Sequence, residues 1–110
     1  MKKHLMLIGG KWVEPASGAW LESVNPFTAT PWALVPRGGR EDVDRAVAAA
    51  KSAFYDGEWR KLTATARGAL LRCFADIIAS EADALAKIET TDNGKLIAEM
   101  GGQLDRKSVV

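Results

Sequence analysis

The sequence has a single cysteine, Cys73, and a single histidine, His4. One cysteine closes no internal disulfide, so a reducing compartment is expected. One cysteine and one histidine also cannot assemble a zinc site of the usual ligand set within one chain. No apolar run approaches the ~18 residues of a membrane span. The apolar stretch at residues 5–8 is stopped by Gly9-Gly10-Lys11, short of the ~7–15 residues of a secretory signal core. A cytoplasmic protein without membrane contact is expected. An excess of one charge is missing as well. Fifteen Lys and Arg face 14 Asp and Glu, a net charge of +1, so nothing favours nucleic-acid phosphates.

Proline is absent after residue 36, and three of the four tryptophans (Trp12, Trp20, Trp32) precede that point. What remains is ordinary for a globular segment: 110 residues, 47% apolar and 26% charged. A chain of this size hides roughly 60–70% of its unfolded surface when it folds as one domain. In the proline-containing part, aromatic and β-branched residues alternate with Gly and Pro punctuation, which predicts short strands and turns. Residues 5–8 and 11–13 flank Gly9-Gly10, a two-residue hairpin signal. Residues 20–24 and 32–35 read as two further strands.

From Gly39 the period becomes helical. Val43, Ala46, Val47, Ala50, Ala53 and Phe54 draw one stripe on a first helix that ends at Asp56-Gly57. Glu41 and Asp42 lie in its first turn, where the helix dipole favours negative charge. Thr63 is a candidate N-cap for a second helix carrying Leu70, Leu71, Phe74, Ile77 and Ile78. Ser80 with Asp83 suggests a cap for a third, which stops at Asn93-Gly94. A last helical stretch is expected over residues 96–104. Phe27, Phe54, Trp59 and Phe74 are expected in the core.

The usual chemical constellations are missing. There is no G-x-G-x-x-G, and Gly94-Lys95 lacks the upstream Gly and downstream Ser or Thr of a phosphate loop. Cys73 sits at the edge of the apolar stripe. Arg72 beside it does not share its helix face, so it reads as a small half-buried thiol and not a nucleophile. His4 reads as a solvated side chain near the terminus. Glu89 and Asp92, three apart, suit either a surface cap or a cation.

Several short motifs then add up. Ile8-Gly9-Gly10-Lys11-Trp12, Val24-Asn25-Pro26 and Asp42-Val43-Asp44-Arg45-Ala46-Val47 come first. Ala50, Ala53-Phe54, Trp59, Arg67, Leu70-Leu71, Ala75-Asp76 and Leu85-Ala86 continue the series. Glu89-Thr90-Thr91-Asp92-Asn93-Gly94-Lys95 closes it. In this order, over residues 7–104, the chain resembles the N-terminal segment of the NAD(P)-dependent aldehyde dehydrogenase superfamily.

The resemblance implies an α/β family fold with a Rossmann-like cofactor domain. This segment then supplies an N-terminal strand and hairpin region (residues 1–38) and a helical part of the cofactor-binding domain (residues 39–104). Residues 105–110 lie outside the pattern, and Gly101-Gly102 is expected to interrupt the last helix, so a truncated chain is expected. In the family a cysteine thiolate attacks an aldehyde, hydride passes to NAD or NADP, and water releases the acid with help from a glutamate. Those catalytic residues, the oxyanion Asn and the cofactor loop match no position here. No catalytic residue is therefore assigned, and no cofactor is expected to bind this chain well by itself. The resemblance also implies a structural monovalent cation held by backbone oxygens at Ser23 and Val24 and by Asp92. The expected partners are the remainder of an aldehyde dehydrogenase chain, or a second copy through bare apolar helix faces. The alternative is a small helical binding module without enzymatic activity.

Overall fold

A computed structural model describes the backbone of residues 1–108 and the side chains of residues 1–104. The chain forms two compact units. The first holds Met1–Val24 and Pro31–Lys61; the second holds Asn25–Thr30 and everything from Leu62 onward. Packing thus groups the first helix with the strands, whereas the change of sequence period falls near residue 38.

In the first unit, β2 (Met6–Ile8) pairs antiparallel with β3 (Lys11–Val13), with Met6 opposite Val13 and Ile8 opposite Lys11. The turn between them requires positive φ at both central residues, and Gly9 (φ 58°) and Gly10 (φ 76°) provide it without a Cβ penalty. A second sheet has the order β1 (Lys2–Lys3), β5 (Thr30–Pro36), β4 (Trp20–Asn25). β1 runs parallel to β5, Lys2 lying opposite Ala33. The chain stays attached one residue further on, where His4 N–H donates to the Leu34 carbonyl at 2.9 Å. His4 is accordingly half-buried with its ring edge toward Trp32, not solvated as expected.

Helix α1 (Arg40–Tyr55) starts after Gly39, whose carbonyl accepts the Val43 N–H. It stops at Asp56, and a side chain at Gly57 would collide with the Ala53 carbonyl, so only glycine lets the chain turn here. A single 3₁₀ turn, Trp59–Lys61, follows.

The second unit is helical. In α2 (Ala64–Ser80) the Thr63 hydroxyl accepts the Ala66 N–H at 3.2 Å, the N-cap anticipated from sequence. α3 (Ala82–Asn93) is entered differently from the expected cap. Ser80 is the last residue of α2 and its hydroxyl donates back to the Ile77 carbonyl, while Glu81 bridges the two helices without a side-chain cap bond. Gly94 ends α3 in the left-handed conformation, its N–H donating to the Thr90 carbonyl.

Helix α4 (Ile97–Ser108) runs through Gly101-Gly102 without interruption, contrary to expectation. The energetics explain why. Each glycine costs about 1 kcal/mol relative to Ala in a helix. Met100, 1% exposed, and Leu104 flank the pair and bury into the core of this unit against Ala86, Ala82 and Leu85. Burial of two such side chains contributes about 1.5–3 kcal/mol each, enough to offset both glycines.

Little else is buried. Among the described residues the buried apolar set is Ala33, Ala75, Ala86, Met100 and Leu104. The accessible surface is 8116 Å², against about 6,000 Å² for a folded monomer of this mass. The four aromatics expected in the core are not there. Phe27 is 93% exposed at the tip of the turn after β4, and Phe54, Trp59 and Phe74 are also exposed. The stripes of α1 and α2 are apolar as read, but Phe54 and Phe74 on them stay exposed.

Candidate functional site

The best-ordered polar centre is Asp42, 2% exposed at the third position of α1. Its Oδ2 accepts the Gly39 N–H at 2.9 Å, and its Oδ1 accepts the Ala16 N–H at 3.0 Å and the Arg45 guanidinium at 2.6 Å. The Gly39 bond, then the Arg45 and Ala16 bonds, hold its carboxyl below the ordinary value of 3.8. The sequence shows a carboxylate in a first helical turn. It does not show that the carboxylate ties the loop after β3 to the helix.

This arrangement bears on the cofactor. A dinucleotide pyrophosphate seeks free backbone N–H groups at a helix N-terminus. At α1 the Gly39 N–H already donates to a carboxylate, which would repel the phosphates. At α2 the Thr63 hydroxyl takes the Ala66 N–H. The glycine pair at residues 9–10 closes a hairpin and does not lead from strand into helix. Neither of these two helix starts nor the glycine turn is arranged as a pyrophosphate cradle.

Beside Asp42 lies an open apolar groove of about 330 Å³ lined by Met6, Leu7, Ile8, Gly38, Val43 and Ala46. Asp42 also lines the groove, and its oxygens are engaged in bonds within its own unit.

The residues expected to hold a cation lie on two elements. Ser23 and Val24 are consecutive in β4 of the first unit, and the Ser23 hydroxyl accepts the Trp32 indole N–H at 2.9 Å. Asp92 lies in the last turn of α3, in the second unit. In that same helix Glu89 accepts the Asn93 side-chain amide N–H at 3.0 Å. The buried Thr90 hydroxyl makes no hydrogen bond and was not singled out by sequence. Cys73 is exposed on α2, more open than the half-buried thiol expected. No group of three or more His, Cys, Asp or Glu suited to a metal occurs among the described residues. No helix among them is long and apolar enough to cross a membrane.

Comparison with known proteins gives a consistent answer. The aldehyde dehydrogenase family model matches residues 12–109, past the expected end of the resemblance at Leu104. A (Z)-2-((N-methylformamido)methylene)-5-hydroxybutyrolactone dehydrogenase from Acinetobacter baylyi is 43% identical over 94% of this chain, but over only 21% of its own length. A phenylacetaldehyde dehydrogenase from Pseudomonas fluorescens is 40% identical over 86% of this chain and 19% of its own. Among solved structures, an NAD-dependent aldehyde dehydrogenase from Sinorhizobium meliloti superposes with a TM-score of 0.93 at 34% identity. That alignment covers 98% of this chain and 22% of the other. The chain thus spans about a fifth of the length of the relatives it matches.

Proposed function

The chain belongs to the aldehyde dehydrogenase family, and from that premise we propose that it is the N-terminal part of an enzyme oxidising an aldehyde to a carboxylic acid with NAD or NADP. By itself it is inactive. The observation that carries this reading is the mismatch of coverage: nearly all of this chain aligns, with about a fifth of each relative. The starts of α1 and α2 support it, since side chains of the segment itself accept backbone N–H groups there. The thiol supports it too. Cys73 stands on an exposed helix face, and Arg72, its neighbour in sequence, points elsewhere around the helix.

In this reading the role of the segment is to complete a larger globule. The groove between β2 and α1, with Val43 and Val47 beside it in water, is a surface to be covered by the rest of an aldehyde dehydrogenase chain. The test is complementation. A homologous aldehyde dehydrogenase lacking the region equivalent to residues 1–104 is mixed with this chain, and aldehyde-dependent reduction of NAD is followed. Recovery of activity, dependent on this chain and lost when Val43 and Val47 are both changed to Asp, is the expected result. Binding without any dependence on those residues would contradict the assigned surface.

A further inference from the structure

We propose that Asn93-Gly94 is a latent self-modification site, where the chain loses ammonia and turns Asn93 into aspartate or isoaspartate once the end of α3 opens. The sequence has two asparagines, Asn25 and Asn93. An asparagine amide is attacked from within by the backbone nitrogen of the next residue. Asn25 precedes Pro26, whose nitrogen carries no proton to give up. Asn93 precedes Gly94, which has no side chain to hinder the approach. In the step, the Gly94 nitrogen gives up its proton and bonds to Asn93 Cγ. The Cγ–Nδ2 bond breaks, and Nδ2 leaves as ammonia carrying that proton. Water then opens the five-membered imide at either carbonyl, giving aspartate or isoaspartate with no change of oxidation state.

The folded end of α3 keeps this step shut. Asn93 is the last residue of the helix, and Gly94 caps it. Ring closure brings the Gly94 nitrogen and the Asn93 carbonyl carbon, Cα, Cβ and Cγ near one plane. That takes Asn93 away from the helical ψ of about −42°. Leaving it breaks the cap, in which the Gly94 N–H donates to the Thr90 carbonyl at 2.9 Å. The amide itself is held at both ends. Nδ2 donates to Glu89 Oε2 at 3.0 Å, and Oδ1 accepts the Lys95 N–H at 2.9 Å. Pro26 adds to the hold, because its ring fills the space where a Cβ on Gly94 would point. The product weakens the closed end. A carboxylate at residue 93 stands four residues after Glu89 and at the negative end of the helix dipole, both unfavourable. Isoaspartate also lengthens the backbone by one carbon before Gly94, so the cap bond loses its register.

The test incubates the 110-residue chain in mildly alkaline buffer and follows its tryptic peptide, residues 88–95, by mass spectrometry. The readouts are the mass gain of amide to acid and the two product isomers. A synthetic peptide of the same residues gives the unrestrained rate. The chain should react about tenfold or more slowly than the peptide, because only the fraction with the end of α3 open can react. Urea sufficient to unfold the chain should bring the two rates together. Glu89→Ala should accelerate the folded chain about threefold or more, by loss of one hydrogen bond to the amide. Alanine favours helix, so a purely structural role for residue 89 would slow the reaction instead. Glu89→Gln keeps an acceptor oxygen and should stay near wild type. A chain as fast as the peptide, no product in urea, or a Glu89→Ala chain no faster than wild type would each overturn the proposal.

Discussion

The carboxylate of Asp42 accepts a hydrogen bond at 3.0 Å from the backbone N–H of Ala16, 26 residues earlier in the chain. One buried side chain thereby fastens a surface loop to the first turn of α1, and through Arg45 it also orders that helix's second turn.

The pH dependence of this anchor follows from its sign. The carboxyl is held below its ordinary value of 3.8, so its contribution to stability is complete above that value and is lost as pH falls through the lower folded value. Thermal melts of the wild-type chain and Asp42→Asn should therefore differ by a constant amount from pH 7 to about pH 5. The gap should shrink below about pH 4, where the unfolded carboxyl titrates. A gap that stays constant down to the acid limit would remove the charge from the account.

Gly94 joins α3 to the segment before α4 with φ 75°, and a Cβ built on it would stand 2.8 Å from Pro26 Cγ. Gly94→Ala should lower unfolding stability by about 1–2 kcal/mol from the left-handed backbone alone. The contact with Pro26 adds to that. Urea titrations of Gly94→Ala with and without Pro26→Ala separate the two, because the second change relieves only the contact. A neutral Gly94→Ala would contradict the geometry.

Buried and bare apolar side chains should respond oppositely to truncation. Met100→Ala removes the centre of the core formed by α3 and α4 and should cost about 2–5 kcal/mol, with loss of helical signal. Phe54→Ser and Val47→Ser act on exposed positions of α1 and should stay within about 0.5 kcal/mol. Equal destabilisation by both classes would mean that the α1 stripe is already covered within this chain.

These contrasts mark what the sequence could and could not reveal. Local chemistry was legible. The Gly9-Gly10 turn, the Thr63 cap and the Gly94 stop each depend on residues within a few positions of one another. Non-local chemistry was not. Lys2 and Lys3 carry no strand pattern, and their pairing with Ala33 and Leu34 is set by a strand some thirty residues away in sequence. Asp42 announced a helix start but not its hold on Ala16. The apolar stripes of α1 and α2 were read correctly as stripes. Periodicity says that a face is apolar, not whether its partner lies in the same chain, so Phe54 and Phe74 were misplaced into a core. At Gly101-Gly102 the local penalty was visible, whereas the burial of Met100 and Leu104 that outweighs it was not.

The bare faces should also report themselves directly. The purified chain should enhance the fluorescence of an apolar dye, as exposed apolar patches do. Adding a truncated homologue that accepts the segment should reduce the signal. A chain that leaves the dye dark would favour a self-sufficient helical module.

The central claim is that the chain belongs to an oxidising enzyme without being one. The most direct measurement is aldehyde-dependent formation of reduced nicotinamide by the purified chain, with NAD and with NADP. The account predicts no turnover for any aldehyde, and no change on Cys73→Ala. Turnover by the wild-type chain that disappears in Cys73→Ala would contradict it.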